Sequence, residues 1–178
     1  MRQLIVATAC LLVGCAEESD LRLIVEDPSE DGPAVISLDH TAAVHFESRE
    51  VPGAVLPGGT LVFAAQSADV CSTLQMGFFR GEEHFAFVQI SQDEPDMGTV
   101  SVWGPDGQCK TWAETRTPVV ADIGGDEVVI VLDEVGLAPK PRQPWAEARL
   151  TLEGSADVEV CPDVDVFALQ CGVPVSGD

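Results

Sequence analysis

Apolar and polar residues alternate with period two along most of this chain, and Gly, Pro and Asp clusters interrupt the runs. The clearest run is Ala148-Arg149-Leu150-Thr151-Leu152-Glu153. As a strand it sends Ala148, Leu150 and Leu152 to a core and Arg149, Thr151 and Glu153 to water. Asp157–Val160 continues the pattern beyond Gly154-Ser155, which reads as a hairpin turn. The same reading predicts strands at Leu21–Glu26, Ala34–Leu38, Ala42–Glu47, Thr60–Ala65, Phe85–Ser91, Thr99–Trp103, Lys110–Thr115 and Val164–Leu169. Val128–Leu132 is uniformly apolar, as expected of a strand buried on both faces. Pro57-Gly58-Gly59, Pro105-Asp106-Gly107 and Gly124-Gly125-Asp126 supply turns. Glu26–Pro33 is a polar break, and Leu137–Pro144, with three prolines, reads as a long hairpin loop.

One segment departs from this pattern. Asp69 can cap a short helix that Gly77 ends, which predicts a helix near residues 69–77. The fold expected is therefore all-β, an antiparallel sandwich or small barrel with one short helix. Residues 21–178 are expected to form a single β domain.

The N-terminus follows a different rule. Arg2 precedes an apolar stretch from Leu4 to Val13, too short for a bilayer-spanning helix but suited to the apolar core of a secretory signal. The stretch ends in Leu12-Val13-Gly14-Cys15, which resembles the lipobox of bacterial lipoproteins. The resemblance implies that residues 1–14 are a signal peptide removed by cleavage. Cys15 would carry the lipid, and residues 15–20 would be the lipidated tether. Acyl chains contribute about 0.8 kcal/mol per buried CH₂, so several chains hold a protein to a membrane without electrostatic help. Ala16 follows the cysteine, and by the sorting rule of enteric lipoproteins this implies the outer membrane. Cys10 lies inside the apolar stretch and would leave with it.

A second resemblance spans Thr60–Cys171. The order of Asp69-Val70-Cys71-Ser72-Thr73-Leu74-Gln75-Met76-Gly77, the Phe85–Ile90 strand, a later cysteine and the paired segments Asp126–Gly136 and Ala148–Cys161 resembles small uncharacterised lipoproteins of Gram-negative bacteria. That group brings no activity with it.

Charge and cysteine content narrow the function. Thirty Asp and Glu oppose nine Lys and Arg, a formal net charge of −21. This disfavours nucleic acid, whose phosphates require Lys and Arg, and it disfavours a polybasic hold on anionic lipid. It favours a salt-sensitive partner with a basic protein surface. An exported chain passes through an oxidising compartment, so Cys71, Cys109, Cys161 and Cys171 read as disulfide cysteines. Four cysteines allow three connectivities, and spacing favours Cys71–Cys109 with Cys161–Cys171. No pair among these four cysteines has zinc-like spacing.

Candidate chemistry is sparse. His45, Glu47 and His84 could make a two-histidine, one-carboxylate site, and His40 is the remaining histidine. Asp157, Glu159, Asp163 and Asp165 across a predicted hairpin, and Asp93, Glu94 and Asp96 in a loop, are oxygen ligands of the kind calcium takes. A solvated acidic face accounts for both groups more simply. The chain has no G-x-S-x-G elbow and no phosphate-binding glycine loop. Trp103 and Trp112 are expected in the core, with Trp145 exposed, and Phe78-Phe79 reads as core or as an apolar edge. The expectation is a lipid-anchored, non-catalytic binding or structural module without a cofactor. The alternatives are a calcium-binding envelope module and an envelope hydrolase.

Overall fold

The computed structural model describes residues 19–66, 70–80, 83–105 and 110–172. The chain runs through β1 (Arg22–Glu26), β2 (Ala34–Ser37), β3 (His40–Phe46), β4 (Arg49–Val51), β5 (Ala54–Leu56), β6 (Gly59–Ala65), α1 (Val70–Gln75) and β7 (Phe78–Arg80). It continues through β8 (Phe85–Ser91), β9 (Glu94–Trp103), β10 (Thr111–Pro118), β11 (Val120–Ile123), β12 (Glu127–Pro139), β13 (Arg149–Glu159) and β14 (Gln170–Gly172). Nine strands follow one hydrogen-bonded path, β2-β1-β13-β12-β10-β9-β8-β6-β3, and β11, off this path, pairs with β12 as the tenth strand of the sheet. The fold is all-β and antiparallel across this path, as the alternation predicts, and the sheet does not close into a barrel.

The path folds over at β12 into a sandwich. The first layer is β2-β1-β13-β12-β11 and the second is β10-β9-β8-β6-β3. Only Ala138 and Pro139 of β12 pair with β10, so the layers splay beyond that corner. Between them lie Leu23, Val25, Ile130, Leu150, Leu152 and Val158 from one side, and Val62, Val88, Ile90, Val100 and Val102 from the other. At the opposite seam Val160 bridges Ala43, and the Cys161 amide donates to the Ala43 carbonyl at 2.8 Å.

Three expectations are corrected. First, Gly154-Ser155 is not a turn: β13 runs unbroken through it. Gly154 adopts φ 116°, and a Cβ there would meet the Asp20 carbonyl oxygen at 2.5 Å. Glycine thus bends the strand and lets another backbone come close. Asp20 completes the junction, its carboxylate accepting from the Ser155 amide and, at 3.1 Å, from the Ser155 hydroxyl.

Second, Val128–Leu132 is buried on one face only, with Val131 43% exposed. Its strand also continues to Pro139, where a loop was expected. The ladder slips between Leu132 and Val135, with Glu134 at φ 45°. This bulge re-phases the alternation, so Val128, Ile130 and Leu132 share a core with Val135 and Leu137. The strands buried on both faces are β6 and β8, because α1 and the segment 161–169 cover the outer side of the second layer.

Third, Val164–Leu169 is not a strand. It forms turns that pack Val164, Val166 and Leu169 against a second apolar cluster with Phe63, Phe87, Val70 and Leu74. The short helix stands where predicted, and Gly77, at φ 73°, ends it. Its amide donates to the Leu74 carbonyl.

Candidate functional site

The disulfide pattern positions the site. Cys71 bonds Cys161, with Cα atoms 5.6 Å apart. This overturns both expected pairings, Cys71–Cys109 and Cys161–Cys171, since each would consume one of these two sulfurs. The physical reason is tertiary. The outer face of β6 and β8 is apolar, and α1 and the chain leaving β13 both pack there, so their cysteines meet. Cys109 lies outside the described residues, as do residues 1–18, which hold Cys10, Cys15 and most of the expected signal and tether.

Beside that stapled cap the outer face of the second layer stays open. There a groove of about 350 Å³ is lined by Leu61, Phe63, Phe87, Gln89, Thr99, Ser101, Trp103, Thr111, Glu114, Val166 and Leu169. Alternation creates it: the inward residues of β8 and β9 fill the sandwich, and Phe87, Gln89, Thr99, Ser101 and Trp103 therefore point out. An aromatic row crosses the strands. Phe63 and Phe87 meet edge-to-face at 5.1 Å, and Phe87 and Trp103 do so at 4.6 Å. Val166 and Leu169 of the cap make one wall.

The other wall is polar. Gln89 and Thr99 are cross-strand partners, as are Ser101 and Glu114. The Ser101 hydroxyl donates to Glu114 Oε2 at 3.3 Å, and Lys140 Nζ stands 3.7 Å from the same oxygen. Among the described residues lining the groove, Glu114 is the only ionisable one, and Lys140 balances it. Sequence reading assigned Trp103 to the core and passed over Gln89 and Thr99. Their one available signal was a strand, Thr99–Trp103, with hydroxyls and an indole on the side away from its valines.

The sequence-predicted clusters do not assemble. His45 and His84 sit near opposite ends of the layer, about six residues or roughly 20 Å apart along the strands. His45 instead ties the sandwich seam. Its Nε2 lies 2.9 Å from the Gly124 carbonyl and its Nδ1 2.9 Å from the Thr60 hydroxyl. A carbonyl only accepts, so Nε2 donates to Gly124. His84 stacks on Trp145 at 5.0 Å and touches the edge of Trp112 at 5.7 Å. Burial holds its imidazole below the usual histidine range, against the opposing pull of Glu83. Trp145 is therefore half-buried, not free in solvent, and Trp112 is buried with its Nε1 lacking a partner among the described residues. The side chains of Phe78 and Phe79 lie outside the described residues.

The acidic groups remain on the surface. Asp157 and Glu159 are exposed on β13, while Asp163 and Asp165 are exposed in the cap, where the Phe167 amide donates to Asp165 at 3.0 Å. Asp93, Glu94 and Asp96 are exposed around the start of β9, and Glu94 pairs with Arg116. Among the described residues no three His, Cys, Asp or Glu side chains converge as a metal site. No described helix is long and apolar enough to cross a membrane.

Comparison with models of known protein families, with curated proteins and with solved structures found no match to this chain.

Proposed function

We propose that this chain is a lipid-anchored, non-catalytic binding module of the bacterial cell envelope, held at the outer membrane through Cys15. Its ligand occupies the groove on the outer face of β8, β9 and β10. The observation that carries the binding assignment is the groove itself. At about 350 Å³ it falls within the size range of ligand sites, and it joins an aromatic row to a few polar groups. Among the described lining residues a single carboxylate, hydrogen-bonded and ion-paired, stands without a second ionisable group for acid–base chemistry. The Leu12-Val13-Gly14-Cys15 pattern supports the anchor. The acid excess supports a basic protein surface as the macromolecular partner, joined outside the neutral groove.

Two measurements on the full chain in a Gram-negative host test this reading. An alkyne-labelled fatty acid should enter the wild type and not Cys15→Ala, and the label in both would refute the anchor. A photo-crosslinking side chain at Gln89 should capture envelope material, whereas one at Thr151, on the other layer, should not. Equal capture at both positions would refute the groove as the binding site. Crosslinks from the acidic surface should fade between about 50 mM and about 500 mM salt, where the Debye length shrinks several-fold.

A further inference from the structure

We infer that the groove binds a neutral saccharide, an inference that rests on the binding assignment above. The argument begins with charge. On a chain of net charge −21, a site for a basic peptide should present uncompensated carboxylate. Among the described residues the groove presents one carboxylate, Glu114, and Lys140 lies 3.7 Å from it. Local neutrality selects a neutral ligand, because a cation would have to displace Lys140 and an anion would face the acidic envelope of the whole domain.

Hydrogen-bonding capacity comes next. Gln89, Thr99 and Thr111 line the groove, and their side chains form no hydrogen bond among the described residues. They offer an amide and two hydroxyls, groups that both donate and accept. A ligand rich in hydroxyls, each also donor and acceptor, satisfies such a surface in either sense. Gln89 and Thr99 are directly opposed across the β8–β9 pair, and Thr111 opposes Trp103 across β9–β10, so these groups flank the indole.

Apolar surface completes the match. The C–H face of a sugar ring needs a flat apolar platform beside its polar partners. Trp103, set edge-to-face on Phe87 at 4.6 Å, supplies one. The groove is lined by side chains on the face of β8, β9 and β10, whose backbone groups pair with one another. An extended peptide would therefore find no backbone ladder to join, which removes the usual way a β-sheet recognises a peptide. A volume of about 350 Å³ suits one or two sugar rings.

The test uses the full chain in micelles of a non-sugar detergent on an array of neutral and charged glycans, followed by calorimetric titration with the strongest neutral glycan. Retention of neutral glycans is expected, with dissociation constants of roughly millimolar or below, as small ligands of this size give. Gln89→Ala with Thr99→Val, at surface positions that leave the core intact, should raise the dissociation constant about tenfold or more. Trp103→Ala should do at least as much. Affinity should be unchanged between about 50 mM and about 500 mM salt. A blank array for neutral glycans, or an affinity that both variants leave unchanged, overturns the inference. If the array is blank while crosslinking at Gln89 persists, the saccharide assignment falls and groove binding stands. If both are blank, both fall.

Discussion

Replacing Cys71 and Cys161 together by alanine should destabilise the domain by more than any other disulfide pairing of these cysteines with a near neighbour would predict. The bond joins residues 90 apart. Chain-entropy loss for a loop of that length is worth about 4.6 kcal/mol at 25 °C. The expected Cys161–Cys171 bond, closing a loop of about ten residues, would give only about 2.7 kcal/mol by the same relation. Alanine rather than serine is the right replacement, because Cys161 is 5% exposed within the second apolar cluster and a hydroxyl there would add an unrelated cost. At roughly 2–4 °C per kcal/mol, the double variant should melt about 9–18 °C below the wild type. Calorimetry or urea unfolding of the full chain reads this directly. The effect should also be local: without the staple, Val166 and Leu169 loosen from Phe63 and Phe87, and ligand affinity at the groove should fall with stability. A double variant within about 1 kcal/mol of the wild type would refute the reasoning. So would a non-reducing peptide map joining Cys71 to Cys109 or Cys161 to Cys171.

Three further outcomes follow from the packing and the titrating groups. Gly104→Ala should cost about 1–3 kcal/mol in urea unfolding, because its Cβ would run into the Trp112 ring, buried beneath the His84–Trp145 stack. Gly154→Ala should cost a similar amount, about 1–3 kcal/mol, since it combines φ 116° with a clash against the Asp20 carbonyl. For His84, burial lowers the folded-state pKa, so between the unfolded value near 6.5 and that lowered value the unfolded chain binds more protons. Stability should therefore be full above about pH 6.5 and decline as pH falls through this window, and His84→Gln should remove that part of the decline. An identical pH profile for wild type and variant would contradict the assignment.

Period-two alternation and turn residues determined the all-β class, the position of the helix and most strand centres, because these depend on residues adjacent in the chain. Gly77 ended the helix by its own conformational freedom, and that too was local. The errors share a cause. At Gly154 and at Asp133-Glu134 the alternation breaks as it does at a strand end, yet neighbouring strands carry the ladder across. Val128–Leu132 reads as doubly buried by composition, but burial depends on what covers each face, and the cap lies on the other layer. The cysteine pairing was undetermined for the same reason: sulfurs 90 residues apart meet only because α1 and the exit of β13 pack on one apolar face. The groove is the most tertiary feature of all. Gln89, Thr99, Trp103 and Glu114 come from three strands and become neighbours through register alone, and the wall that makes their face a groove comes from Val166 and Leu169, far along the chain. Local sequence dictates backbone conformation through sterics and alternation, whereas the partner of each outward face is decided by how the whole chain buries its apolar surface.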